Sequence, residues 1–202
     1  MVSSKSRWGR RATSAAIGLA LDALVGDDPL RPHPVALFGT TMTALERGIW
    51  NDTKWSGVAY AAAGTGAATV AGRIVGLMPG GTPAAIYTAV AGRGLWRAAE
   101  AVGAALESED LTGARRLLPA LVGRDPSELG EGEVARAVIE SVAENTVDGI
   151  VAPIFWAFLA GAPGALAYRG INTLDSMVGY RDERYRRFGW ASARLDDLAN
   201  FV

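Results

Sequence analysis

Three acidic side chains recur at i, i+4 and i+8 in the stretch RAVIESVAENTVDG: Glu140, Glu144 and Asp148. On a continuous helix they share one face. Like charges at that spacing repel by about a few tenths of a kcal/mol per pair. A helix keeps such a stripe when it is solvated, paired with arginine, or used to hold a cation or an amine. Arg136 stands four residues before Glu140 and could pair with it, and Asn145 stands three before Asp148. The stripe runs directly into an uncharged segment, Gly149 to Tyr168, where an idle carboxylate is costly. Beyond that segment lie Asn172, Asp175, Ser176 and Tyr180, the first three on one helix face, then Arg181, Arg184, Arg186 and Arg187. Forked guanidinium donors suit phosphate or carboxylate. The same arginines also suit the basic flank of a membrane segment, the better reading of Arg186 and Arg187. A third cluster holds Arg194, Asp196, Asp197 and Asn200, of which Arg194 and Asp197 could simply pair. His33, held between Pro32 and Pro34 just after Asp27-Asp28-Pro29, could bind a ligand anion or brace its loop.

Composition narrows the chemistry. The 202 residues carry a net charge of −1, which gives no electrostatic case for nucleic acid. There is no cysteine and one histidine, so thiolate catalysis, disulfides and Cys- or His-cluster metal sites are excluded. A metal here needs carboxylates, which favour Mg²⁺. No P-loop and no GxSxG elbow is present.

The elements that must position these groups are helical, since apolar residues come in long runs or at helical spacing, without sustained alternation. Helices are predicted over Ala12 to Val25, Val35 to Trp50, Ser56 to Leu77, Ala84 to Leu106, Leu111 to Leu121, Gly132 to Thr146, Ile171 to Met177 and Ala191 to Val202. Asp27 to Pro34 is predicted as a proline-bound loop. Three runs lack charge: Trp55 to Gly72, Ile74 to Gly92 and Gly149 to Tyr168. Each is near the ~20 residues that cross a bilayer, and buried helices of a soluble alanine-rich bundle are the alternative. Gly72, Gly76 and Gly80 add a small-residue spacing suited to close helix packing. Lys5, Arg7, Arg10 and Arg11 before the first apolar stretch favour a cytoplasmic N-terminus and a retained helix. Residues alone therefore give an all-α, polytopic membrane protein with a polar face suited to Mg²⁺ and phosphate.

Three long, ordered stretches resemble the CobD/CbiB family, adenosylcobinamide-phosphate synthase of cobalamin biosynthesis. They are LALDALVGDDPLRPHPVALFG, DLTGARRLLPALVGRDPSEL and the run from Arg136 to Asn200. The resemblance is weakest from Trp50 to Ala105. It departs at Pro126, where the family more often has threonine. The family continues past the LDDLAN run into further apolar helices, so residues 1–202 are expected to form one helical membrane domain truncated at its C-terminus. The resemblance implies a multi-pass enzyme of the cell membrane with a cytoplasmic active face. It would join adenosylcobyric acid, a corrinoid, to aminopropanol phosphate at the expense of ATP with Mg²⁺, and could associate with itself or with later enzymes of the pathway. On that reading Glu140, Glu144 and Asp148 hold Mg²⁺ or the amine, and Asp175 joins them as a catalytic group. Asn145, Asn172, Ser176 and Tyr180 orient substrate. Arg181, Arg184 and Arg194 hold phosphates, Asp196 and Asp197 are second-tier candidates for the metal, and His33 is a second-tier candidate for binding substrate. A non-enzymatic sensor like the AmpE-type membrane proteins, and a transporter, are the alternatives. Catalysis on one face requires Gly149 to Tyr168 to be broken or re-entrant, with Pro153 and Ala162-Pro163-Gly164 as the breaks. A full crossing would put Glu144 and Asp175 on opposite sides.

Overall fold

A computed structural model describes residues 4–26, 32–123 and 125–201. Asp27, Asp28 and Pro29, and with them most of the predicted proline loop, lie outside the described residues, as does Arg124. Ten α-helices follow one another: α1 Ser4–Val25, α2 Pro34–Ile49, α3 Lys54–Gly76, α4 Gly81–Ala89, α5 Gly92–Glu107, α6 Leu111–Leu117, α7 Glu131–Thr146, α8 Ala152–Ala160, α9 Ala162–Val178 and α10 Trp190–Ala199. A 3₁₀ turn, Leu118–Ala120, follows α6, and a π-helical turn, Val147–Val151, joins α7 to α8. No strand occurs among the described residues, in agreement with the all-α expectation.

Local chemistry sets most of the boundaries. His33 Nδ1 accepts the Val35 N–H at 3.3 Å and caps α2, which has proline in its first turn. Thr53 caps α3 through the Ser56 N–H, and Asp110 caps α6 through the Gly113 N–H at 2.8 Å. Glu133 reaches back to the Gly130 N–H at 2.8 Å and fixes the start of α7.

One predicted helix, Ala84 to Leu106, is two. The chain turns extended at Val90 (φ −82°, ψ 155°) and restarts as α5. The cause is tertiary. Asp22 of α1, buried to 4 % exposure, accepts the Arg93 N–H at 3.0 Å and so caps α5 from another helix. The Ala91 N–H leaves its own helix and donates to Gly149 O at 3.0 Å.

The predicted break in the Gly149 to Tyr168 run falls at Gly161, directly before the expected Ala162-Pro163-Gly164. Its φ of 72° and ψ of −150° lie outside the range that a side chain tolerates. There α8 stops and α9 runs back along it, so α8 and α9 form a hairpin with almost no connecting loop. Pro153 does not break the chain. It sits in the first turn of α8, just past the π turn, where its missing N–H is tolerated.

Helix α3 packs along α9 through small residues. A Cβ on Gly72 would lie 2.6 Å from Pro163 Cα, and one on Gly76 would lie 3.2 Å from the Ala162 Cβ. Farther along the same pair, Tyr60, Leu174, Val178 and Phe188 are buried together with Met42. The Tyr60 and Phe188 rings are 5.1 Å apart. Burial of each such large side chain is worth roughly 1.5–3 kcal/mol. A separate cluster, Val102, Ala114, Leu118, Val134 and Ala137, ties α5, α6 and α7 into a lobe beside the bundle.

One helical stretch among the described residues, Glu131–Ala160, is long and apolar enough to cross a membrane. Only 22 % of its most apolar window is buried inside the protein, less than a core helix would show. The other two uncharged runs do not reach that threshold. The Trp55 to Gly72 run is dominated by Ala, Gly and Thr, and the Ile74 to Gly92 run is divided between α3, α4 and the break at Val90.

Candidate functional site

The π turn decides where the acidic stripe points. A π turn holds more residues per turn than an α-helix, so residues after it are rotated off the line set by residues before it. Glu140 and Glu144 lie on α7 before the turn and are exposed, whereas Asp148 lies within it and is half-buried. The three therefore do not converge as one helix face, and no group of three acidic or histidine side chains with metal-holding geometry occurs among the described residues.

Asp148 instead meets the returning arm of the hairpin. Tyr168, 1 % exposed, directs its hydroxyl at Asn200 Oδ1 (2.7 Å) and lies 3.4 Å from Asp148 Oδ1. Asn200 Nδ2 donates to Asp196 Oδ2 at 3.0 Å, and Asn172 Nδ2 approaches Asp196 Oδ1 at 3.5 Å. Asn172 and the charged Arg169 line the same cleft as the Asp148 carboxylate. Three elements thus contribute: the π turn supplies Asp148, α9 supplies Tyr168, Arg169 and Asn172, and α10 supplies Asp196 and Asn200.

The network carries excess negative charge. Burial pushes the Asp196 carboxyl up to about 6, and the charges of Asp175 and Asp148 add to the rise, while hydrogen bonds from Asn172 and Asn200 oppose it. Asp175 sits one turn beyond Asn172 on α9, half-buried. A cation or a protonated amine is the natural complement of such a group.

A cleft of about 200 Å³ opens on this network. Asn145, Asp148, Arg169 and Asn172 supply its polar wall, and Leu95 and Leu121 stand among its apolar residues. Asn145 is fixed by two bonds to Ser141, to its carbonyl at 2.9 Å and its hydroxyl at 3.0 Å, and the Ser141 hydroxyl donates to Leu121 O at 2.6 Å.

The remaining predicted residues fall elsewhere. Ser176 is exposed and returns its hydroxyl to Asn172 O at 2.9 Å, and Tyr180 and Arg181 are exposed past the end of α9. Arg184 is engaged. Its guanidinium donates to the buried Glu46 at 2.9 Å, beside the Tyr185 hydroxyl on the same oxygen at 2.9 Å, and it lies 4.8 Å from the Trp50 ring centroid. Arg194 pairs with Asp197 at 3.5 Å, both exposed. His33 caps α2. Sequence reading did not single out Tyr168 or Arg169, which close the apolar run and look like its border. It also passed over Asp22, whose one signal was a carboxylate inside an apolar stretch.

The fold and cleft define an α-helical protein with an acidic, amide-lined site on a membrane-length helix. The family described as CobD/Cbib protein matches residues 15–202, including the stretch of weakest resemblance. The cobalamin biosynthesis protein CobD of Mycobacterium tuberculosis (strain ATCC 25618 / H37Rv) is 46 % identical, over 98 % of this chain and 64 % of that protein. CobD of Pelobacter propionicus is 42 % identical, over 94 % of this chain and 62 % of its own length. CbiB of Salmonella typhi is 41 % identical, over 92 % and 63 %. The chain belongs to the CobD/CbiB family of cobalamin biosynthesis proteins. It spans about 64 % of the length of the first of these relatives. No solved structure matches it.

Proposed function

We propose that this chain carries the substrate-activating face of an ATP-dependent amide synthase, which joins the carboxylate of adenosylcobyric acid to the amine of aminopropanol phosphate. The observation that carries the reading is the Asp148–Tyr168–Asn200–Asp196 network, which reaches the wall of the cleft through Asp148. A carboxylate does not condense with an amine until it is activated. Transfer of the ATP γ-phosphoryl group to the carboxylate gives an acyl phosphate and ADP. Attack by the amine then forms the amide, expels phosphate and releases one proton.

Each step needs a group of a kind that the site offers. Mg²⁺ binds through one or two carboxylates plus substrate phosphates and water, so Asp148 and Asp196 fit as its protein ligands without a third. When bound, Mg²⁺ neutralises phosphate charge. Asp175 is the group proposed to hold the substrate ammonium and accept its proton. Arg169 and Asn172 face the cleft beside Asp148 as donors for a carboxylate or phosphoryl oxygen. Tyr168 and Asn200 link the two carboxylates in one hydrogen-bonded chain.

Multi-pass insertion in the cell membrane, with the Asp148 end at the cytoplasm where ATP is available, belongs to the same proposal; it sets the basic start of α1, at the Gly161 end, on the opposite face from the one its basic flank predicts. At 1.5 Å per residue, α1 and α3 are about 33 and 35 Å long, close to the hydrocarbon thickness of ~30 Å. Trp8 lies near one end of the bundle and Trp50, Trp55 and Trp190 near the other, with Trp55 82 % exposed. Indoles at both ends suit two membrane interfaces.

The test is amide formation by membranes holding this chain, supplied with adenosylcobyric acid, aminopropanol phosphate, Mg²⁺ and ATP, and read by mass spectrometry. ATP-dependent product supports the reading. No product from the chain or from a version extended to the relatives' full length overturns it.

A further inference from the structure

The hairpin has a second polar end, which the proposed amide chemistry does not use. Arg7, Arg10 and Arg11 of α1 and Arg73 of α3 surround a pocket of about 600 Å³ at the Gly161 reversal. None of the described residues that line it is acidic. Asp148 is twelve residues from Ala160 along the helix, about 18 Å at 1.5 Å per residue, so the two sites are separate.

Arg7, Arg10 and Arg73 are exposed, but three features set this pocket apart from an isolated charge run. First, α9 begins in it at Ala162 with no side chain capping its N-terminus, and α4 begins beside it at Gly81 in the same way. Their first-turn N–H groups add positive potential, which the carbonyl ends of α8 at Ala160 and α3 at Gly76 offset in part, so the arginines carry the charge of the pocket. Second, the pocket is held in shape. Arg11 donates to the carbonyls of Phe158 and Leu159 at the end of α8, and the Trp8 and Phe158 rings are 4.7 Å apart. Third, the rim is apolar and bare. Leu77, at the pocket, is 87 % exposed, and Ile74, Met78 and Leu159 around it are exposed too.

A free phosphate would satisfy the arginines and leave that rim in water. An anionic amphiphile satisfies both. We propose that the Arg7–Arg11–Arg73 pocket binds the phosphate head group of an anionic phospholipid, whose acyl chains cover Ile74, Leu77 and Met78. Bound there, the lipid bridges α1, α3 and the α8–α9 reversal, adding to the Arg11 bonds, the Trp8–Phe158 contact and the small-residue seam of α3. The proposal does not depend on the chemistry assigned to Asp148.

The test is native mass spectrometry of the full chain in detergent, offered phosphatidylglycerol and phosphatidylcholine at equal concentration. The wild type is expected to retain phosphatidylglycerol at least about five-fold over phosphatidylcholine, with about five-fold carried by each arginine near the head group. Arg7→Gln with Arg73→Gln should reduce the preference sharply, to what Arg10 and Arg11 still supply. Arg7→Lys with Arg73→Lys should keep most of it, which separates lost charge from a damaged fold. Arg11 is left intact because it caps α8. Millimolar inorganic phosphate should leave the bound lipid in place. Equal retention of the two lipids by the wild type, or a preference untouched by the Gln pair, would overturn the proposal. Displacement by phosphate would mean that the pocket takes the anion alone.

Discussion

The Ala91 N–H donates to Gly149 O at 3.0 Å, joining the break between α4 and α5 to the π turn that carries Asp148. An orphaned donor from one irregularity meets a carbonyl in the other, and each makes the other tolerable. Substituting Ala91→Pro removes that donor and forces φ away from its observed −142°. A buried carbonyl left unsatisfied costs about 1–3 kcal/mol, and each kcal/mol is worth about 2–4 °C in a domain of this size. A thermal melt should fall accordingly, with turnover lost alongside because Asp148 moves.

Asp148→Asn and Asp196→Asn keep the shape of the network and remove its charge. Each should lower amide formation by about 100-fold or more, on the scale of a lost acid–base or metal-binding group, without lowering the melt at neutral pH. Glu140→Gln and Glu144→Gln, exposed ahead of the π turn, should stay within about a factor of three on the same reasoning that solvated charges contribute little. Parallel rate measurements on the four variants test the assignment. Comparable losses at Glu144 and Asp148 would restore the continuous stripe.

Burial holds the Asp196 carboxyl up at about 6. Its folded pKa lies above the ordinary carboxylate value, so its favourable contribution to stability is complete below about 4 and is lost as pH rises through 6. Without divalent cation, the wild-type melt should decline between pH 4.5 and 7 relative to Asp196→Asn. Mg²⁺ competes with the proton, so its affinity should rise over the same interval. Calorimetric titration at pH 5 and pH 7 checks the sign, and a pH-independent affinity would remove Asp196 from the metal site.

Glu46 is 6 % exposed and accepts from both Arg184 and Tyr185. Glu46→Ala should cost about 1–3 kcal/mol, since it leaves two donors without their acceptor while Arg184 stays partly hydrated. Stability should suffer before catalysis. Arg184→Ala should follow the same pattern, and a specific loss of phosphate affinity in that variant would contradict its placement as a clamp.

Gly72→Ala tests the hairpin seam. The added methyl would sit 2.6 Å from Pro163 Cα, where only backbone movement can relieve it. Overpacking of this kind costs about 1–3 kcal/mol, readable as a lower melting temperature, while Gly66→Ala, with open space beside it, should be neutral or slightly stabilising.

Much of this architecture is written in local chemistry. Helix periodicity, the caps at Thr53 and Asp110, and the alanine- and glycine-rich seam of α3 can be read from neighbouring residues. So can the need for a reversal between Gly149 and Tyr168, because carboxylates and amides flank it on both sides. The features that could not be read depend on contacts across the fold. Val90 and Ala91 carry no helix-breaking side chain, and they leave the helix because Asp22 and Gly149 offer better partners to the N–H groups of Arg93 and Ala91. Glu140 and Glu144 share Asp148's spacing but not its direction, since a π turn has no composition of its own. Tyr168 looks like the last apolar residue of a run until Asn200 arrives beside its hydroxyl.

The reversal at Gly161 also bears on the order of assembly. Asp148, Tyr168 and Asn172 are carried by a hairpin whose arms are adjacent in the chain, so their encounter requires only a short closure. Asp196 and Asn200 come from α10, beyond the loop that holds Phe188. Half the site should therefore form as soon as the hairpin does, and α10 should act as its latch, completing the acidic network only when the last described helix docks. Amide exchange ought to record that sequence, with α8 and α9 protected before Trp190–Ala199.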